Sequence, residues 1–364
     1  MKFFISCGEL SGDLHAANLV RELKKLLPEA KFEGFGGPNL AKEGVEIKVD
    51  IKEMSIVGFA EALKYLPKVL KQMTIAKRTI STCDACIFVD YPGFNLRLLP
   101  YSKKSGKINI YYILPQVWAW GESRINKLKK YCDLLISIIP FEKDFFKKYH
   151  VEIHYVGNPV YDKFLEISKK VEKIQVPEGK IPIGILPGSR RSEVEKLLPH
   201  LQKIIKILKN ERKDLFFIMS RKVPFDFTEE DVAFWDGSPY PIMESSKILL
   251  VASGTATLET ALFEKPMVVL YKTSPLTYFI GKTVAKVKNI SLVNLLLNEE
   301  VVPEFIQKID EKKIARFILD YLDNEHLYDS TANKLKNLKT ILKPEAASNA
   351  ARLIFEEVIK HGYA

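Results

Sequence analysis

The sequence predicts an α/β protein of two Rossmann-like domains, each an open parallel sheet with helices on its faces. Three observations carry this. Residues 2–7, 86–89, 110–113, 181–186 and 248–252 are short continuous apolar runs, as expected of strands buried on both faces. Between such runs lie segments with apolar residues at three- and four-residue steps, so strand and helix alternate along the chain. A length of 364 residues is enough for two cores of ordinary size.

Hydrophobic content of 47% with 27% charged residues is that of a globular chain, and four cysteines make no disulfide framework, so a reducing cytosol is expected. The opening MKFFISCGELSGD has one Lys and too short an apolar run for a secretory signal. No uncharged apolar run approaches the roughly 20 residues of a spanning helix. Residues 1–170 hold 27 Lys+Arg against 19 Asp+Glu, and residues 171–364 hold 28 against 26, so most of the net charge of +10 lies in the first half. That half is expected to meet an anionic partner: nucleic acid, an acidic membrane surface or a phosphorylated substrate. With no zinc finger, helix-turn-helix or aromatic RNP strand, nucleic acid ranks last.

In chain order, strand 2–7 leads through a loop at 8–12 into an amphipathic helix at 14–27. Glu9-Leu10-Ser11-Gly12-Asp13 thus fills a turn at the carboxyl end of the first strand, the edge where open α/β sheets bind ligands. Strand 31–35 leads into the tight turn Gly36-Gly37-Pro38. In the segment 55–80, Phe59, Leu63, Leu66, Leu70 and Met73 recur at helical spacing, with Lys64, Lys68, Lys71, Lys77 and Arg78 on other faces. Both an ordinary core-packed helix and a basic surface resting on anionic lipid fit this pattern.

Strand 86–89 ends in Asp90, followed by Tyr91-Pro92-Gly93-Phe94-Asn95. Asp90 is either the first residue of the turn, bonded to its own backbone, or a carboxylate delivered to the sheet edge. Cys83 and Cys86 form a lone CxxC with no second pair and no nearby His, which points to core packing. After strand 110–113, Trp118 and Trp120 suit a ligand wall. Strands 134–138 and 153–156 complete the first sheet, and Gly157-Asn158-Pro159 reads as the exit to a linker.

Strand 181–186 opens the second set and is followed by Pro187-Gly188-Ser189-Arg190-Arg191 and a helix. Strand 248–252 is followed by Ser253-Gly254-Thr255 and a helix at 256–263. A helix starting straight after a buried strand offers unpaired N–H groups and the positive end of its dipole, and glycine admits close approach of a phosphate. Arg190 adds a cation to clamp an anion. Glu259 lies one turn beyond Thr255, where the ribose diol of a nucleotide on that turn would be. An ordinary helix start with an acidic residue nearby fits the second turn alone; two such turns in one half-chain favour nucleotide binding. Residues 220–246 read as polar and irregular, with Phe234-Trp235 as a surface for a flat base, and 266–270 as another strand. The run 290–295 places Asn294 among apolar residues, Gln307 follows, and a final amphipathic helix spans 346–360.

The motifs CGELSGDLHA, VDYPGFN, LPQVWAW, PFEKDFF, VGNP, LPGSRRSEVEKLLP, VASGTATLE and SLVNLLL stand in the order seen in lipid-A-disaccharide synthases, which the chain resembles from residue 6 to residue 307. The match is looser at 220–246 and after 307. Departures are Gly93, where many members carry an acidic residue and which weakens the case for a second carboxylate beside Asp90, and Asn158, where His is common.

The resemblance implies a GT-B glycosyltransferase, with two Rossmann-like domains facing a cleft. Residues 1–165 would bind the acceptor lipid and 166–342 the UDP-sugar. Residues 343–364 would form a helix packing back on the N-terminal domain or a partner subunit. It implies joining of a UDP-activated 2,3-diacylglucosamine to 2,3-diacylglucosamine 1-phosphate by a β-1′,6 link with inversion and release of UDP. The partners are then these two lipids, the cytoplasmic face of the inner membrane and a possible homodimer, and no nucleic acid. Asp90 is the expected base, with Asp13 in reserve and Ser11 and Gly12 touching the reacting groups. Gly188, Ser189, Arg190 and the N–H groups around Ser253, Gly254 and Thr255 would receive the diphosphate. Glu259 would hold the ribose, while Asn294 and Gln307 would contact sugar or phosphate. No cofactor and no metal are expected, since no DxD-type acidic pair is placed to hold one. The rival expectations are a UDP-N-acetylglucosamine 2-epimerase of similar build and a non-catalytic nucleotide-sugar or lipid binder.

Overall fold

The computed structural model describes residues 1–54, 66–119, 121–227, 229, 232–273 and 289–363. By its internal contacts the chain divides into two compact units, Met1–Pro159 with Lys343–Ala364, and Val160–Leu342.

The first unit runs β1 (Lys2–Ser6), α1 (Leu10–Leu26), β2 (Lys31–Gly36), α2 (Pro38–Lys42), β3 (Glu46–Asp50), α3 (Leu66–Ser81), β4 (Ala85–Val89), α4 (Pro92–Lys104), β5 (Ile108–Tyr112), α5 (Arg124–Tyr131), β6 (Leu134–Ser137), α6 (Glu142–Lys147) and β7 (His154–Tyr155). Its strands form a parallel sheet in the order β3-β2-β1-β4-β5-β6-β7. The chain moves outward from β1 to β3, then returns to the other side of β1 at β4. The carboxyl ends of β1 and β4 therefore bound the crevice where an open sheet takes its ligand.

Both faces of this sheet are covered, which is why its strands read as unbroken apolar runs. Phe3 and Ile5 of β1 join the core beneath α1, while Phe4 between them packs on the opposite face with Phe35 and Phe88. The last helix of the chain, Ala346–Lys360, buries Ala350, Ala351, Ile354 and Val358 in the same core as Ala16, Ala17 and Val20 of α1. Small alanines on both helices allow them to pack closely. Where this returning segment passes the exit of β7, Gly157 has φ 114° and a Cβ there would lie 2.6 Å from the Lys343 carbonyl oxygen, so only glycine fits.

The second unit contains α7 (Pro159–Ile167, whose Pro159 still groups with the first unit), β8 (Ile181–Leu186), α8 (Arg191–Glu211), β9 (Leu215–Ser220), β10 (Val232–Trp235), α9 (Tyr240–Ser245), β11 (Ile248–Ala252), α10 (Thr255–Leu262) and β12 (Met267–Tyr271). It continues with α11 (Leu292–Leu297), β13 (Glu304–Ile306), α12 (Glu311–Asp323), α13 (Glu325–Lys336) and α14 (Leu338–Ile341); the returning helix at Ala346–Lys360 is then α15. The sheet order is β10-β9-β8-β11-β12-β13, all parallel, so β8 and β11 flank its switch point. Ile183 and Ile185 face α8 and α12, and Val251 and Val269 face α10.

Two local expectations change. The loop at 8–12 is shorter than expected, because α1 starts at Leu10 and carries Ser11, Gly12 and Asp13 in its first turn. The polar segment 220–246 contains β10 and α9, whose apolar residues are too few for a periodicity to show. The apolar run 290–295 is the start of helix α11, with the Ser291 hydroxyl accepting from Val293 N and Asn294 N at its N-terminus. Of the basic stripe at 55–80, residues 55–65, including Phe59, Leu63 and Lys64, lie outside the described residues. The part in α3 leaves Lys68, Leu70 and Lys71 exposed. The cysteine pair does pack in the core: Cys83 and Cys86 are buried free thiols, both pushed up to about 12 by burial.

Candidate active site

Asp90 follows β4 directly, at the crevice between β1 and β4. Its backbone and that of Tyr91 are left-handed, with φ 46° and 49°, a region that costs a non-glycine residue about 1–3 kcal/mol. Buried partners hold it there. The Asp90 N–H donates to the Tyr112 carbonyl at 3.0 Å, and its carbonyl accepts from the Asn95 side-chain amide and the Tyr111 hydroxyl, both at 2.8 Å. Asn95 and Tyr111 are fully buried, and Asn95 is tied to β1 by accepting from the Ser6 hydroxyl at 2.7 Å. With its backbone fixed on three sides, Asp90 holds its carboxyl at the crevice, where it also meets the N–H of the next residue, Tyr91.

The carboxyl stands at a small cavity of about 120 Å³ lined by Gly8, Glu9, Gly12, Val89, Asp90, Tyr91 and Pro92. One side of Asp90 is open to solvent, yet the protein packed around it withdraws enough water to push its pKa up to about 6, and the charge of Glu9 adds to this. The Tyr91 N–H pulls in the opposite direction. Gly8 is required here, because a Cβ would fall 2.2 Å from the Tyr91 ring, whose hydroxyl is anchored on the Met54 carbonyl at 3.0 Å. A carboxyl titrating near 6 at a ligand crevice is suited to general-base work.

Gly12 lines this cavity and Ser11 is exposed beside it in the first turn of α1. Asp13 has another task. It is fully buried, and its two oxygens accept from the N–H groups of Gly37 (2.6 Å), Asn39 (2.9 Å) and Leu40 (3.3 Å). It caps the short helix α2 from across the sheet edge, which occupies the carboxylate expected as a reserve base.

In the second unit, β8 and β11 pair in register up to Leu186 opposite Val251, so their turns emerge side by side. A Cβ on Gly188, at φ 116°, would lie 3.7 Å from the Ala252 Cβ. Arg190 sits at the start of α8 and Gly254 at the start of α10, and neither helix has a side-chain cap on its first N–H groups. Gly254, at φ 153°, leaves open space where its Cβ would be. Ser189, Arg190, Gly254 and Thr255 are exposed, and Ser253 is half-buried, its N–H held by the Leu270 carbonyl at 2.8 Å. Arg190 pairs with Glu193 at 3.2 Å, an exposed contact worth about 0–1 kcal/mol. Glu259 is half-buried on α10, with one carboxylate oxygen accepting from the Tyr240 hydroxyl at 2.6 Å. The structure thus gathers Gly188, Ser189, Arg190, Ser253, Gly254, Thr255 and Glu259 on two neighbouring turns and the helix behind them.

Asn294 is not part of this arrangement. It is fully buried, its amide donates to Val302 O (2.8 Å) and Glu304 Oε1 (2.7 Å), and its oxygen accepts from Val301 N (2.9 Å) and Val302 N (3.0 Å). Two donors and two lone pairs are all an amide has, so nothing remains for sugar or phosphate. Gln307, at φ 63°, clamps both backbone groups of Thr273 at 3.1 Å and levels the ends of β12 and β13. Trp118 is not a ligand wall: it is buried, and its indole donates to Glu142 at 2.9 Å. Trp120 lies outside the described residues. Phe234 is taken up by packing with Phe225 and Phe227. Sequence reasoning missed Asn95, Tyr111 and Tyr240; the first stands inside a quoted motif, whereas the other two read as ordinary apolar positions.

Known proteins share the sequence pattern and the fold. The sequence model of the family described as lipid-A-disaccharide synthetase matches residues 3–358. A lipid-A-disaccharide synthase of Persephonella marina is 39% identical, covering 98% of this chain and 99% of its own. Among solved structures, a putative UDP-N-acetylglucosamine 2-epimerase from Listeria monocytogenes aligns with a TM-score of 0.63 at 12% identity, over 100% of this chain and 96% of its own. MurG from Acinetobacter baumannii aligns at 0.60 and 13% identity, over 98% and 99%. At such identities the structural likeness speaks for two Rossmann-like domains of the GT-B kind and nothing finer.

Proposed function

The chain belongs to the lipid-A-disaccharide synthase family, glycosyltransferases of lipid A biosynthesis, and from that premise we propose its specific reaction. It joins UDP-2,3-diacylglucosamine to 2,3-diacylglucosamine 1-phosphate, inverting the anomeric centre and forming the β-1′,6 link without a metal. Asp90 accepts the proton of the acceptor 6-hydroxyl as that oxygen attacks the anomeric carbon of the donor. The bond from that carbon to the UDP oxygen breaks, and the electron pair leaves with UDP. Arg190 and the N–H groups at the starts of α8 and α10 meet the growing negative charge, which is stabilisation by donors already in place. Glu259 takes the ribose hydroxyls. Ser11 and Gly12 contact the acceptor sugar beside Asp90.

The observation that carries this reading is the place of Asp90, a carboxylate beside Gly8, Glu9 and Gly12 at the β1/β4 crevice. Purified protein incubated in detergent with both lipids should release UDP and a new disaccharide in equal amounts. UDP without disaccharide would mean hydrolysis or another acceptor, and neither product would end the proposal.

Because the acceptor is a lipid phosphate, we place the protein at the cytoplasmic face of the inner membrane. Among the described residues no helix is long and apolar enough to cross a membrane. The basic first half, with Lys68, Leu70 and Lys71 exposed on α3, supports contact at the surface. A homodimer is part of the same expectation, and light scattering decides it.

A further inference from the structure

We infer that Glu9 accepts a hydrogen bond from the 4-hydroxyl of the acceptor sugar and so turns the 6-hydroxyl to Asp90. The inference rests on the acceptor proposed above. On a glucosamine acylated at positions 2 and 3 and phosphorylated at position 1, the free hydroxyls are those on C4 and C6, at one end of the molecule. The crevice of the first unit offers two carboxylates to receive them.

β1 and β4 are neighbours, with Ser6 opposite Phe88, so the loops that follow them emerge together. Glu9 comes from the first loop and Asp90 from the second, and both line the cavity of about 120 Å³. The Glu9 backbone is extended ahead of α1, at φ −141° and ψ 162°, and its side chain makes no cap bond to that helix. Burial raises the Asp90 carboxyl and the Tyr91 hydroxyl, and the charge of Glu9 raises both further, which sets its carboxylate on the cavity side. The other described residues there are Gly8, Gly12, Val89, Tyr91 and Pro92, none with a positive charge. Two carboxylates without a cation repel phosphate and receive hydroxyl donors. C1 lies across the sugar ring from C4, so an acceptor held in this way carries its phosphate away from both. A whole ligand takes a pocket of roughly 300–1,000 Å³, so this cavity has room for the C4–C6 end alone.

The test crosses protein variants with acceptor variants, at about pH 8 so that Asp90 is ionised throughout. Wild type and Glu9→Ala are assayed in detergent with 2,3-diacylglucosamine 1-phosphate and with its 4-deoxy analogue. Wild type should lose kcat/KM roughly 10- to 100-fold on the deoxy acceptor, the range for one hydrogen bond to a charged group. Glu9→Ala should lose about as much on the hydroxylated acceptor and nothing further on the deoxy one, with the donor KM unchanged. Glu9→Gln keeps an accepting oxygen without the charge. It should show the same pattern at smaller size, and it decides the matter if Glu9→Ala does not fold. An influence of Glu9 through the Asp90 charge alone would change both acceptors equally, and equal changes overturn the inference. So does a wild-type protein that uses the deoxy acceptor as well as the hydroxylated one. If wild type makes no disaccharide from the hydroxylated acceptor, the reaction proposed above fails, an outcome distinct from either of these.

Discussion

The hydroxyl of buried Tyr240 donates to one carboxylate oxygen of Glu259 at 2.6 Å, leaving the other oxygen to act from a fixed position. The same contact, together with burial, drives the Tyr240 pKa upward, so the hydroxyl keeps its proton and remains the donor. Tyr240→Phe frees Glu259 to rotate. The expected outcome is a KM for the UDP-sugar raised several-fold with kcat nearly unchanged, in line with one hydrogen bond to a charged group. A fall in kcat with an unchanged KM would show that Glu259 does not hold the donor.

Asp90 must be ionised to accept a proton, so kcat/KM should rise with pH through about 6 and level off above it. Asp90→Asn should lower kcat about 10²–10⁴-fold on the plateau above pH 6 and remove the acid limb. Since the negative charge of Glu9 raises the Asp90 value, Glu9→Gln should move the acid limb to lower pH. A limb that stays in place in Glu9→Gln separates the two carboxylates.

Arg190 starts α8 at the phosphate-suited turn, whereas Arg191 lies in the helix and pairs with Glu195 four residues on. Calorimetry should find UDP binding weakened roughly 10- to 100-fold by Arg190→Ala and little changed by Arg191→Ala. Equal effects would remove Arg190 from the diphosphate site.

Asn294→Ala strands the N–H groups of Val301 and Val302 in a buried setting. The loss should appear in thermal unfolding, at about 2 kcal/mol or more, and not in the donor KM of the folded fraction. A donor KM raised at unchanged stability would return Asn294 to the site.

Glu142 is buried against Ser137 and Trp118, and burial pushes its carboxyl to about 7, against an ordinary 4.5. The folded state thus favours the proton: its contribution to stability is complete below about 4.5 and is lost as pH rises through 7. Glu142→Gln stays neutral, so its stability relative to wild type should grow from pH 5 to pH 8.5, by a margin of the order of 3 kcal/mol. Chemical denaturation at the two pH values measures this, and a constant difference would mean that Glu142 is already ionised at pH 5.

Much of this was legible in the sequence because the sheets are buried on both faces. Strands such as Ile181–Leu186 and Ile248–Ala252 announce themselves as apolar runs, and the glycine turns after them mark the ligand edge. What escaped were pairings between distant residues. Asp13 and Asp90 are both acidic residues near sheet-edge turns, and only the fold shows that one is consumed by the N–H groups of Gly37, Asn39 and Leu40 while the other faces a cavity. Asn294 looked like a ligand contact because an amide in an apolar run needs partners; the partners are backbone groups at 301 and 302 that no local pattern reveals. Trp118 was misjudged for the same reason, its indole being matched to Glu142 twenty-four residues away.

The return of α15 to the face of α1 has a consequence for how the chain is made. Residues of α15, made long after those of α1, complete the core that α1 begins, so that core stays unfinished until the ribosome has released them. A nascent chain halted near Leu342 would carry an uncovered apolar stripe along α1, exposed to proteases and holdase chaperones, and chains extended past Lys360 would leave that window.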